Sequence, residues 1–282
     1  MTRHRAWRTL TLVLFAVTLA LPATSLGAPP GGLRDISKTR AGGTERHAAA
    51  NRYAAEGVVV RADELRVFEA ADGETLIVPA GTELVFEGSE FAGVQVGGRA
   101  FRQSAESNTH GDISPMALSD WPMRSQNCFT TKSKTYGYMD TCYALRWYDG
   151  SSTYDWFGLH VHGTVWAKAG QRVKTAWVQS KPGGGSATTW VDWSPAGTVN
   201  PSGNCDNVTV GIAVPVTLSY SHYMCEEWNI SKGAASGDFR TTWRSGSSIA
   251  HPQSRAVAFL LDMRGAENAY PVFVISWDFS AP

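Results

Sequence analysis

Residues 155–170 read DWFGLHVHGTVWAKAG, and the alternation in that stretch decides the fold class. Phe157, Leu159, Val161, Val165 and Ala167 fall on one side of an extended chain; Trp156, His160, His162, Thr164 and Trp166 fall on the other. Period two held over a dozen residues describes a strand with one apolar face for a core and one mixed face. The mixed face, with Trp156, His160, His162 and Trp166, is the candidate ligand-binding surface. Aromatic rings on an open sheet face can stack on sugar rings, and two histidines at i and i+2 lie within reach of one metal ion. A metal needs a third ligand, and Asp155 and His251 are not fixed in space by the sequence, so no metal or cofactor is assigned.

The cysteines extend the β reading outward. Pairing Cys205 with Cys225 centres a turn on Pro215 and sets Val208 opposite His222, Val210 opposite Tyr220 and Ile212 opposite Leu218. One register then places the apolar residues of both strands on one face. The same test on Cys128 and Cys142 centres a turn on Thr135, among Lys132, Ser133, Lys134 and Gly137, which are turn-forming neighbours. Two disulfides are therefore expected, Cys128 with Cys142 and Cys205 with Cys225, each contributing ~3 kcal/mol by closing a short loop.

Strands are expected at 128–131, 139–148, 156–167, 173–179, 188–193, 207–213, 216–224, 256–263 and 272–279. Turns fall at Asp149-Gly150, 183–185, 201–203 and Gly246. Short strands at this spacing, with no strand–helix alternation, predict an all-β, antiparallel two-sheet β-sandwich, jelly-roll-like or Ig-like, with a barrel as the alternative, across 123–282. Upstream, 57–102 reads as a small β unit preceding the sandwich, with turns at Asp72-Gly73, 79–81 and Gly97-Gly98. The segment 77–86 resembles one rung of a parallel β-helix, but without repeats a plain small sheet is the expectation. Residues 103–122 read as a linker. The region 28–56 is expected to be disordered apart from a short Ala-rich helix over 47–56, capped by Thr44.

Arg3, Arg5 and Arg8, an apolar run over 10–21 and small residues at Ser25 and Gly27 read as a secretory signal peptide over 1–27. The run falls short of the ~20 residues of a membrane span. Its removal takes away three of the 25 basic residues and none of the 25 acidic ones, so the mature chain carries a net charge of −3. Lys and Arg are dispersed, which argues against nucleic acid as a partner. The expected localisation is extracellular, where an even cysteine count reads as disulfides.

No G-x-S-x-G elbow, H-E-x-x-H, phosphate loop, EF-hand or dinucleotide fingerprint occurs. Glu226 and Glu227 are adjacent and would point to opposite faces of a strand, unlike the paired carboxylates of a glycosidase. Met139-Asp140-Thr141-Cys142, Asp155 with Leu159-His160, the run 190–195, the run 225–228 and Ile275-Ser276-Trp277-Asp278-Phe279 give the region 128–281 its character. On these residues it resembles an uncharacterised family of secreted actinobacterial β-rich proteins, which implies export and fold and supplies no activity. The functional expectation is a non-catalytic module that binds extracellular glycan, cell wall or a secreted protein. The alternative is a hydrolase using His160 or His162 with Asp155 or Glu226.

Overall fold

The computed structural model describes residues 32–55, 61–88, 90–97, 123–151, 153–184, 188–198, 206–212, 218–224, 227–233, 237–267, 269 and 271–282. Eight strands form one antiparallel sheet in the spatial order β1 (Arg34–Asp35), β2 (Leu65–Glu69), β3 (Thr75–Pro79), β6 (Met123–Lys134), β7 (Gly137–Ser151), β8 (Tyr154–Ala167), β15 (Ser254–Ala266) and β10 (Thr188–Ser194). Six more form the second, in the order β13 (Trp228–Lys232), β14 (Phe239–Ala250), β9 (Arg172–Pro182), β16 (Val272–Ser280), β5 (Glu90–Gly97) and β4 (Glu83–Glu87). Neither sheet closes on itself, so the fold is a two-sheet sandwich. A separate hairpin joins β11 (Asp206–Ile212) to β12 (Leu218–Met224).

The alternation read in 155–170 places the core. Phe157, Leu159, Val161 and Val165 of β8 and Val257, Phe259, Leu261 and Met263 of β15 point between the sheets. There they meet Val178 of β9, Phe239 and Trp243 of β14, and Ile275 and Trp277 of β16. The Phe239 and Phe259 rings meet across the gap at 5.4 Å. Each such buried side chain contributes about 1.5–3 kcal/mol. β15 is buried on both faces, because Ala258 and Leu260 on its other side are also 0 % exposed, and its sequence accordingly reads as a nearly unbroken apolar run.

The small β unit expected over 57–102 is not a sheet of its own. β3 pairs with β6 in the first sheet and β5 with β16 in the second. The turn at Pro79 to Gly81 carries the chain from one sheet to the other, with Gly81 at φ +87°, so 77–86 is not a parallel rung. Four strands of five to eight residues cannot bury Leu76, Val78, Val94 and Val96 among themselves, and their free edges are satisfied by the larger sheets.

The helix, α1 (Arg40–Ala55), starts earlier than expected. Its cap is Thr39, whose Oγ1 accepts the Gly42 N–H at 3.1 Å, whereas Thr44 sits inside the first turns with its hydroxyl on the Arg40 carbonyl at 3.1 Å. Gly42 and Gly43 dilute the helical signal there. α1 lays Ala49 over Ile36, Leu65, Val67 and Ile77, a small second core on the outer side of β2 and β3. The Cys128–Cys142 disulfide is present between directly opposed residues of β6 and β7. Cys205 and Cys225 lie outside the described residues. The strands they flank pair as expected, from Asp206 opposite Met224 through Val208 opposite His222 to Ile212 opposite Leu218.

Candidate functional site

Trp156, His160, His162 and Trp166 share the face of β8 that points away from the sandwich core, as period two requires. That face is not open along its length. Trp156 is 8 % and His160 3 % exposed, while His162 and Trp166 are half-buried. The two imidazoles stack at 5.2 Å, and Trp166 lies flat on Tyr138 at 5.2 Å. The β11–β12 hairpin belongs to neither sheet yet runs against β15 and β10, whose inner sides are already occupied by the second sheet. A long-range packing of this kind leaves no trace in the local alternation.

The register shows which groups surround the histidines. Ala144 and Leu260 flank His160, Cys142 and Ala258 flank His162, and Arg146 and Asp262 flank Gly158. Asp192 of β10 lies opposite Asp262 on the same face. Asp262 is 0 % exposed and its carboxylate oxygens make no regular hydrogen bond among the described residues, where the Met263 N–H gives partial compensation. Burial, reinforced by the Asp192 charge, pushes its pKa up to about 8. Burial alone pushes His162 down to about 4. Both are therefore neutral over most of the physiological range. Asp155 has the parity of Phe157 and lies on the opposite face from His160 and His162, so the hydrolase reading loses that pair; Glu226 lies outside the described residues. Among the described residues no three His, Cys, Asp or Glu side chains are placed to share a metal ion.

The outer face of the six-stranded sheet carries a second constellation. One row across it runs Asp278, Trp177, Thr242, Asn229 on β16, β9, β14 and β13. The row on one side reads Ser276, Gln179, Arg240, Ser231; on the other side Ser280, Thr175 and Arg244 are aligned, with Glu227 just before β13. Trp177 is thus a single indole inside a lattice of hydroxyl, amide, guanidinium and carboxylate groups. The Arg240 guanidinium lies over its ring at 4.0 Å from the centroid. A shallow depression of ≈ 590 Å³ opens beside it, edged by Thr175, Glu227, Asn229, Arg244 and Ser280. Asp278, which also lines the depression, is held by Lys134 at 2.7 Å and Lys132 at 3.6 Å.

This second face was missed because β13 and β14 were missed. The alternation of Phe239, Thr241 and Trp243 against Arg240, Thr242 and Arg244 is present in the sequence, but Ser, Gly and Thr dilute it. Read together with Thr175, Trp177 and Gln179 it would have exposed the row. No protein-family model and no curated protein matches the sequence, so the chemistry of these two faces is the basis for a functional reading.

Proposed function

We propose that the protein is an exported, disulfide-braced, non-catalytic module that binds an extracellular glycan chain on the outer face of the six-stranded sheet. The observation that carries this reading is the row Asp278, Trp177, Thr242, Asn229, an indole covered on one face by Arg240 and ringed by hydrogen-bonding side chains beside a depression that both residues line. A sugar ring offers an apolar face to an indole and a belt of hydroxyls to neighbouring donors and acceptors, and a strand-spaced lattice matches a chain of such units. Export rests on the expected signal over 1–27 and agrees with the Cys128–Cys142 bond. The face of β8 is the lesser candidate, because Trp156 and His160 on it are buried.

The test is affinity electrophoresis of the mature chain through gels containing individual polysaccharides, with sedimentation against isolated cell walls. Retardation or co-sedimentation is expected for the wild type, and Trp177→Ala is expected to lower affinity at least about tenfold. Trp166→Ala should leave it unchanged. A wild type that interacts with no glycan or wall fraction, or a Trp177→Ala variant as good as the wild type, would remove the reading.

A further inference from the structure

Arg240 has the structure of a cation waiting for an acid. Its guanidinium is half-buried against Trp177, its Nε has no accessible surface, and it makes no hydrogen bond or ion pair among the described residues. Buried polar groups in folded proteins are paired almost without exception, and a desolvated charge left alone is costly. The carboxylate beside Trp177 in the next row, Asp278, would be the natural partner, but it is bound by Lys134 and Lys132. Burial lowers the pKa of Arg240 from its ordinary value and Asp278 raises it at longer range; a guanidinium remains charged throughout. The guanidinium lies over the indole and Arg240 lines the depression, where its N–H groups can meet an anion with two acceptor oxygens. Arg244, two positions beyond Thr242 on the same face, is exposed and likewise unpaired among the described residues, and Glu227 and Asp278 are the acids that line the depression among the described residues.

We propose that the glycan taken by this face is anionic, and that a carboxylate or phosphate of each bound repeat seats on the guanidinium of Arg240 with Arg244 as a second cationic contact. This rests on the glycan reading and adds to it the charge of the ligand. It also reconciles the negative net charge expected of the mature chain with an acidic ligand, since the attraction is local and the lysines near Asp278 are neutralised by Asp278 and Glu74.

The experiment compares a polyuronate, a polyglycerol phosphate and a neutral β-glucan on wild type, Arg240→Gln, Arg240→Lys and Trp177→Ala, at low and high salt. The expected result is binding of one or both acidic polymers and none of the glucan. Arg240→Gln should lose about tenfold or more, Arg240→Lys should recover only part because the planar fork is gone, and salt should weaken the wild type. Which polymer binds tells carboxylate from phosphate. Equal binding of glucan and acidic polymers, unchanged in Arg240→Gln but lost in Trp177→Ala, would overturn the anionic ligand and leave the glycan reading standing. Titration with glucuronate and inorganic phosphate, read at the Arg240 Nε–H resonance, separates the opposite case. A shift there without polymer binding keeps the anion contact and removes the glycan, and no shift with no polymer binding removes both.

Discussion

Asp262 enters the fold as an acid on the outer side of an apolar strand, and its protonation sets a pH dependence whose sign can be worked out. Its pKa is about 8 in the folded protein against 3.8 as a free side chain, so between those values the folded state holds a proton that the unfolded state has released. Stability then falls as pH rises, by up to about 1.4 kcal/mol per pH unit. His162 acts in the other direction: with a folded pKa of about 4 against 6.5, the unfolded state binds the extra proton, and stability rises with pH across that interval. The two slopes oppose each other from about pH 4 to 6.5, and only that of Asp262 persists from 6.5 to 8. Urea unfolding of the wild type should therefore give a free energy nearly level up to pH 6.5 and declining above it. Asp262→Asn should rise to 6.5 and then stay level, and His162→Gln should decline across the whole range. Identical profiles for wild type and Asp262→Asn would show that the carboxyl is not held neutral by the fold. The sequence showed the parity of His160 and His162, but not the burial of His160 and Asp262, because burial depends on tertiary packing and not on local alternation.

Elements announced themselves in proportion to the contrast between their two faces. The β11–β12 register was legible to the residue, because cysteines, apolar positions and polar positions all agreed on one pairing. Strand β14 was not, because Thr241 and Ser245 are buried on its core face and blur the apolar stripe. The helix lies between these cases: its existence was readable and its start was not. Thr39 donates its hydroxyl to the Ile36 carbonyl at 2.8 Å and accepts the Gly42 N–H, tying the first turn of α1 to the segment over β2. Thr44 only returns a bond to its own helix. Thermal unfolding should accordingly separate the two threonines: Thr39→Ala is expected to cost about 1 kcal/mol, and Thr44→Ala to stay within about 0.5 kcal/mol of the wild type. The reverse order would restore Thr44 as the cap.

For the whole molecule, what matters is whether the sandwich stands without the strands that precede residue 123. Low apolar content over 103–122 suggested a linker, and a linker suggested two units, but composition reports on the chain and says nothing about the pairing of what it connects. Phe68, Leu76, Val78, Val94 and Val96 lie in the same buried cluster as Val161, Phe259 and Trp277. At about 1.5–3 kcal/mol each, these five side chains contribute roughly 7–15 kcal/mol, comparable to the entire net stability of an ordinary domain of ~5–15 kcal/mol. Without them, β16 would lose the partner that satisfies Val272 to Ile275, and β6 would lose β3. A chain cut to 123–282 is therefore expected to lack a cooperative thermal transition and to show weak near-ultraviolet dichroism with strong dye binding to exposed apolar surface. The mature full chain should unfold in one step. A fragment that melted sharply with native-like aromatic dichroism would mean that the preceding strands decorate a complete sandwich. The expectation is that they complete it, because their apolar side chains belong to the same buried cluster as those of the later strands.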